Sequence, residues 1–312
     1  MKLVILDSLT LGEVNLEVFR DFGELSIYPY TSKEEILPRC KDAEIIITCK
    51  VPFDESTLKS LPSLKLIALT STGTNIIDLE CAQRLGIEVR NVAGYSTYAV
   101  AQHTLMFALA LLAKLPFYDE YCKSEKWCAS PVFTHIVEGC CELEGREWGI
   151  IGLGSIGAQC ARVAQSLGAK VSYTSTSGKN TSSFIPHKPL EELLQSSEII
   201  SIHAPLNPQT YHLLNSSNLS LLKDNAIIIN VGRGGIIDEN ALAQRMLESE
   251  ISFGSDVLES EPMKPNHPLL NPLLSSRLLL TPHTAWAYRE TRERLMRSVY
   301  ENVKNFLARL SS

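Results

Sequence analysis

Three residues able to do chemistry stand just beyond three apolar runs: Arg233 in "NVGRGG", Glu261 in "DVLESEP" and His283 in "TPHTAW". A guanidinium is a planar fork suited to a carboxylate or a polarised carbonyl. The glycines on both sides of Arg233 favour a site over an arginine exposed on a loop. A histidine can hand over a proton near neutral pH, and a nearby carboxylate can orient it and offset its charge. A lone histidine is more often structural. An arginine, a carboxylate and a histidine at the ends of successive strands can nevertheless converge at one cleft, as a hydride-transfer site requires. Asp256 and Glu259 share the acidic stretch, and Pro262 ends it.

The elements that must position these residues read as an alternation of apolar strand-like runs and helical patterns, the signature of parallel sheets with crossover helices. "KLVIL", "EIIIT", "LKLIAL" and "IEVRNV" form a first series. "EWGIIGLG", "AKVSYT", "EIISIHAP", "NAIIINVGRGG", "SFGSDV" and "RLLLTPH" form a second. Two sheets suit so many strands better than one. The fold class is therefore α/β, with two doubly wound parallel sheets. "STYAVAQHTLMFALALLAKL" reads as a long connecting helix. From Tyr288 to Leu310, Leu295, Val299, Val303, Phe306 and Leu310 recur at steps of three or four and form one apolar helical stripe.

"GLGSIG" follows the strand "WGII" directly and opens a helix. Gly152 allows a tight turn, Gly154 admits a pyrophosphate to the backbone, and Gly157 lets the helix lie close to the sheet, with the phosphates at the positive end of the helix dipole. Gly152, Gly154, Ser155, Ile156 and Gly157 are accordingly cofactor-binding candidates. The carboxylate that usually takes the ribose 2′-hydroxyl of NAD is missing from the end of the second strand, where Thr174, Ser175, Thr176, Ser177 and, further on, Lys179 stand instead. These groups can donate to a phosphate without repelling it. NAD held through hydroxyl and backbone contacts fits almost equally well, and the reading leans only slightly to NADP.

A formal net charge of −6 over 312 residues argues against a nucleic-acid surface spread over the molecule. The eight cysteines never form C-x-x-C, and no paired spacing suggests a zinc or other metal site; most are expected to be buried small hydrophobes in a reducing compartment. The apolar core of "MKLVILDSL" is too short for a signal peptide, and Leu105 to Ala113 is too short to span a membrane, so a cytoplasmic protein is expected.

With "GLGSIG", "HAPLNPQT", "NVGRGGIIDENAL", "DVLESEP" and "TPHTAW" in order, and "TSTGTNIID" and "NVAGYSTYAVAQHT" upstream, nearly the whole chain resembles the D-isomer-specific 2-hydroxyacid dehydrogenase family. "GYSTYAVAQHT" and "TPHTAWA" look most like its glycerate dehydrogenase (hydroxypyruvate reductase) branch. The resemblance implies a Rossmann-type NAD(P)-binding domain at 98–286 inserted into a discontinuous, flavodoxin-like substrate domain at 1–97 and 287–312. It implies that Arg233 binds the substrate's carboxylate and carbonyl, that His283 donates the proton in reduction and that Glu261 partners His283. The amides of Thr72 and Gly73 would take the substrate carboxylate. Asp256 would meet the nicotinamide carboxamide, and His203, Ala204 and Pro205 the adenosine side. Val231, Gly232, Arg233 and His283 complete the expected cofactor surface. A homodimer acting on a small 2-oxo acid such as hydroxypyruvate or glyoxylate is expected. Two other readings share the fold: a dinucleotide-sensing protein resembling the C-terminal-binding-protein corepressors, against which the absence of long tails argues, and a short phosphoglycerate dehydrogenase.

Overall fold

In the computed structural model, which describes residues 1–310, the apolar runs form two parallel sheets. The first contains β1 (Lys2–Ile5), β2 (Glu24–Ile27), β3 (Ile45–Thr48), β4 (Leu66–Leu69) and β5 (Glu88–Arg90), in the order β2-β1-β3-β4-β5. Short helices α1 (Ile36–Cys40), α2 (Glu55–Lys59) and α3 (Leu79–Arg84) lie between its strands in sequence. This is the flavodoxin-like winding. β2 is absent from the sequence reading, because "ELSI" is a short edge strand with a single buried residue and little apolar signal. β3 and β4 are buried along their whole length, which explains their unbroken apolar character.

After α4 (Thr97–Leu112) and α5 (Leu115–Lys123), the second sheet is built from β6 (Glu147–Ile151), β7 (Lys170–Thr174), β8 (Ile199–Ile202), β9 (Ile227–Asn230), β10 (Ser252–Ser255) and β11 (Leu278–Leu280). Its order is β11-β10-β9-β8-β6-β7, and a parallel bridge from Tyr173 to His187 adds a one-residue strand outside β7. With that bridge the winding is of the Rossmann type, and the topological switch point lies beside β6, where the glycine loop leaves the sheet. Helices α6 (Ser155–Ser166), α7 (Leu190–Ser196) and α8 (Glu239–Leu247) complete this layer.

The helix expected from Ser96 to Leu115 forms as α4 but stops at Leu112, and α5 starts afresh at Leu115, bent from it by 62°. Lys114 adopts a left-handed conformation (φ 49°), and Pro116 stands in the first turn of α5. A proline ring inside a continuous helix would clash with the carbonyl four residues earlier, so the chain restarts here. Among the described residues, no single helix is long and apolar enough to cross a membrane.

The last helix, α9 (Arg289–Leu310), buries Leu295, Met296, Val299, Val303 and Phe306 and packs against β4. Leu310, counted in the apolar stripe, is exposed at the helix end. The contacts group the chain into two compact units, Met1–Ser96 with Ala287–Ser312 and, inserted between those segments, Thr97–Trp286. Cys40, Cys49, Cys81 and Cys160 are buried, but Cys122, Cys128 and Cys140 are exposed, so burial does not account for most of the cysteines. The exposed thiols follow α4 on a stretch with few buried residues.

Candidate active site

Ile202, Asn230, Ser255 and Leu280, the last residues of β8, β9, β10 and β11, lie side by side in the strand register. The loops carrying His203, Arg233, Glu261 and His283 therefore leave the sheet from one row. Asn230 is almost fully buried; its Oδ1 accepts the Gly232 amide at 3.1 Å, and its Nδ2 donates to the Arg233 carbonyl at 3.0 Å. This clamp closes the turn that exposes Arg233. The turn lies flat against the next loop, since a Cβ on Gly234 would stand 1.9 Å from the Leu258 carbonyl carbon and 2.3 Å from the Glu259 nitrogen.

His283 Nδ1 lies 2.7 Å from Glu261 Oε2, and Glu261 Oε1 accepts the Leu258 amide at 3.2 Å. The side chains are partly exposed, 23 % for the histidine and 34 % for the glutamate. A carboxylate is the acceptor, so Nδ1 carries the proton in this pair and Nε2 points elsewhere. Among the described residues Nε2 has no protein partner. Glu259, the rival carboxylate, instead accepts the Tyr211 hydroxyl at 3.0 Å, while its amide donates to the buried Glu239 at 2.8 Å.

His283 has a positive φ of 56°, a strained conformation for a side-chain-bearing residue. Asp256 holds it there. Its carbonyl accepts the His283 amide at 2.8 Å, and its carboxylate accepts the Thr281 hydroxyl at 2.5 Å and the amides of Thr284 and Ala285 at 2.7 and 2.8 Å. Asp256, expected beside the nicotinamide, is thus a buried anchor whose contacts here are with the loop carrying His283. Sequence reading missed this use, and it also missed Asn230, for which a polar residue ending an otherwise apolar strand was the available signal.

The glycine loop fits a dinucleotide. Gly152 (φ 92°) donates its amide to the Thr174 carbonyl at 3.0 Å, which ties the turn to the end of β7. A Cβ on Gly152 would meet the Ala204 nitrogen at 2.8 Å, and one on Gly157 would meet the Gly152 oxygen at 2.2 Å. Gly154 has nothing within 4 Å of its Cβ position and caps α6 without any side-chain bond, leaving room and free amides for an anion. Ser155 and Ile156 form the first turn behind it. On the adjoining loop, the His203 amide donates to Ile151 and its Nε2 lies 3.0 Å from Ser201 Oγ, while Nδ1 is buried without a partner. Burial of the ring pushes its pKa down to about 3. Ala204 is buried and Pro205 exposed.

Ser175 and Thr176 are half-buried beyond β7, with Ser175 Oγ lacking a partner, and Ser177 and Lys179 are exposed. Val231 is buried, Gly232 half-buried and Arg233 exposed. In the first unit, Thr72 Oγ1 donates to the Val92 carbonyl at 2.9 Å and Ser71 Oγ to the Gly73 carbonyl at 2.8 Å. Among the described residues, the Thr72 and Gly73 amides have no acceptor, leaving two donors free for an anion.

Residues 105–285 match the sequence model of the D-isomer specific 2-hydroxyacid dehydrogenase NAD binding domain. The chain belongs to the D-isomer-specific 2-hydroxyacid dehydrogenase family. As a member of that family it is an NAD(P)-dependent oxidoreductase. It is similar to a hydroxypyruvate reductase of Blautia hydrogenotrophica, 32 % identical over 98 % of this chain and 97 % of the relative. It is 34 % identical to a glycerate dehydrogenase of Methylorubrum extorquens over 98 % and 96 % of the two chains. The crystal structure of a D-lactate dehydrogenase from Aquifex aeolicus, complexed with NAD and lactic acid, superposes with a TM-score of 0.85 at 26 % identity, covering 99 % of this chain and 96 % of that one. Enzymes at this similarity favour the dehydrogenase reading over a dinucleotide-sensing binding protein.

Proposed function

We propose that this dehydrogenase reduces a small 2-oxo acid of the hydroxypyruvate or glyoxylate class to the D-2-hydroxy acid. The observation that carries the reading is the 2.7 Å pair between His283 and Glu261 in the row of strand-end loops that also bears Arg233. Glu261 fixes the Nδ1 proton and the ring orientation, so the proton delivered to the substrate oxygen leaves from Nε2. Arg233 offers its fork to the substrate's carboxylate and carbonyl and stabilises charge growing on oxygen. The Thr72 and Gly73 amides are carboxylate donors in this reading. The bound nicotinamide supplies the hydride. Gly152, Gly154, Ser155, Ile156 and Gly157 would hold its pyrophosphate, and His203, Ala204 and Pro205 its adenosine side, while Val231, Gly232 and Asp256 belong to the nicotinamide side.

The names of the similar hydroxypyruvate reductase and glycerate dehydrogenase support the substrate class. At the 2′ position we favour NADPH slightly, because β7 ends in hydroxyls, with Ser175 Oγ unpartnered, where an acid would repel the phosphate. We also read the protein as a cytoplasmic homodimer. Phe133 and Ile136, 88 % and 85 % exposed, stand with Met106, Leu109 and Trp127 on the segment following and including α4, a concentration of exposed apolar residues that suits association.

A steady-state panel of hydroxypyruvate, glyoxylate, pyruvate and phosphohydroxypyruvate, each with NADH and NADPH, tests the reading through kcat/KM ratios. Hydroxypyruvate or glyoxylate is expected to lead. Preference for phosphohydroxypyruvate would reassign the protein to the phosphoglycerate branch, and reduction of no 2-oxo acid by protein that binds the cofactor would overturn the proposal.

A further inference from the structure

His103 is a buried imidazole that the reaction as described leaves unused. It lies on α4 one turn before Phe107, with the two rings edge to face at 4.8 Å. Phe107 in turn packs on β10, where a Cβ on Gly254 would stand 3.0 Å from its side chain. The helix is thereby seated on the sheet, and His103 is carried to the foot of the loop that bears His283.

Its Nε2 is 2.9 Å from Thr281 Oγ1, which is 2.5 Å from Asp256 Oδ1; the direct separation from Nε2 to Oδ1 is 3.9 Å. A hydroxyl has one proton to give. Both Asp256 oxygens accept backbone amides, so the carboxylate is the acceptor, and Thr281 gives its proton to Asp256. The Thr281 oxygen must then accept from His103 Nε2–H. Burial pushes the His103 pKa down, against the pull of Asp256, and so favours a neutral ring with a single N–H. The order of donors assigns that proton to Nε2.

We propose that His103 is a positioning residue for His283, acting through Thr281 and Asp256 to hold the loop 281–285 in its strained conformation. The chain of bonds is continuous: His103 orients the threonine hydroxyl, the hydroxyl fixes one carboxylate oxygen, and the carboxylate and carbonyl of Asp256 together take the amides of His283, Thr284 and Ala285. Without the first link the Thr281 hydroxyl can turn away, Asp256 keeps only its backbone amides, and the loop that aims the imidazole is held less firmly. The role rests on His283 being the proton donor.

The test compares full-length wild-type protein with His103→Leu, Thr281→Val, their double variant and His103→Gln, whose amide nitrogen can take the place of Nε2. His103→Leu and Thr281→Val are each expected to lower kcat about tenfold with little change in KM for the 2-oxo acid, since a small misplacement of a reacting group costs rate more than binding. The primary isotope effect with 4-deuterated cofactor should rise in both, the double variant should be no slower than the slower single one, and His103→Gln should recover most of the loss. A residue that only packs would lower the melting temperature while leaving kcat per folded protein and the isotope effect at wild-type values, and His103→Gln would fare no better than His103→Leu; that result would overturn the proposal. Hydrogen exchange of the peptide spanning 281–286, read without substrate, should quicken in His103→Leu and Thr281→Val and return to normal in His103→Gln. Unchanged exchange refutes the anchoring even if the wild type reduces no 2-oxo acid, an outcome that would separately remove His283's proposed role.

Discussion

One carboxylate oxygen of Glu261 accepts the amide of Leu258, in its own loop, and the other meets Nδ1 of His283, in the next. The glutamate is thus held by its own loop as it holds the histidine through Nδ1. Glu261→Gln retains the shape but exchanges a charged acceptor for an amide, so kcat should fall by about 10- to 100-fold while cofactor affinity stays near wild type. His283→Ala should lower kcat by about a thousandfold or more. Steady-state rates beside cofactor titration by fluorescence check both, and full turnover in His283→Ala would remove the histidine from the mechanism.

The glycine loop separates stability from cofactor binding. Gly154→Ala places a methyl group in open space at a negative φ, so the melting temperature should be nearly unchanged while the cofactor dissociation constant rises at least about tenfold, because the methyl group occupies the approach of the pyrophosphate. Gly157→Ala meets the Gly152 oxygen at 2.2 Å and should destabilise the unliganded protein by about 1–3 kcal/mol. Thermal melts and cofactor titrations of the two variants should show these opposite patterns.

His203 gives the protein a defined acid sensitivity. Its folded pKa, about 3, lies below the usual histidine value, so its contribution is complete above about pH 6.5 and is lost as pH falls toward 3, where the unfolded chain takes up a proton that the native state refuses. Between pH 7 and pH 5 the wild type should lose about 2 kcal/mol more unfolding free energy than His203→Gln. Urea melts without cofactor at the two pH values measure the difference, and parallel losses would exclude His203 as the source.

Thiol chemistry should divide along burial. Burial pushes the Cys40 and Cys160 thiols up to about 12, which leaves almost no thiolate at pH 8. Iodoacetamide followed by peptide mass spectrometry should modify Cys122 and Cys128 in native protein and reach Cys40 and Cys160 only after denaturation.

Lys179 is the exposed cation beyond β7. If it meets a 2′-phosphate, Lys179→Ala should lower kcat/KM for NADPH several-fold more than for NADH, by about 1 kcal/mol of lost charge-assisted contact. An unchanged NADPH to NADH ratio would mean that the hydroxyls of Thr174, Ser175, Thr176 and Ser177 act alone or that NAD is the natural cofactor.

Much of this protein is legible in its sequence because the signals are local. Central strands buried on both faces must be continuously apolar, and a glycine loop between a strand and a helix follows from the close approach of Gly152 to Ala204 and of Gly157 to Gly152. Arg233, Glu261 and His283 each announce themselves at a strand end. The family resemblance already singles out Glu261 in "DVLESEP", but only tertiary structure supplies the physical reason: Glu239 and Tyr211, from distant parts of the chain, occupy Glu259 and leave Glu261 to His283. The same holds for Asp256, which bonds the His283 loop directly, and for His103, which reaches it through Thr281. No sequence spacing encodes such contacts, because they depend on parallel strands in register and on a helix seated over Gly254 bringing together residues that lie far apart along the chain.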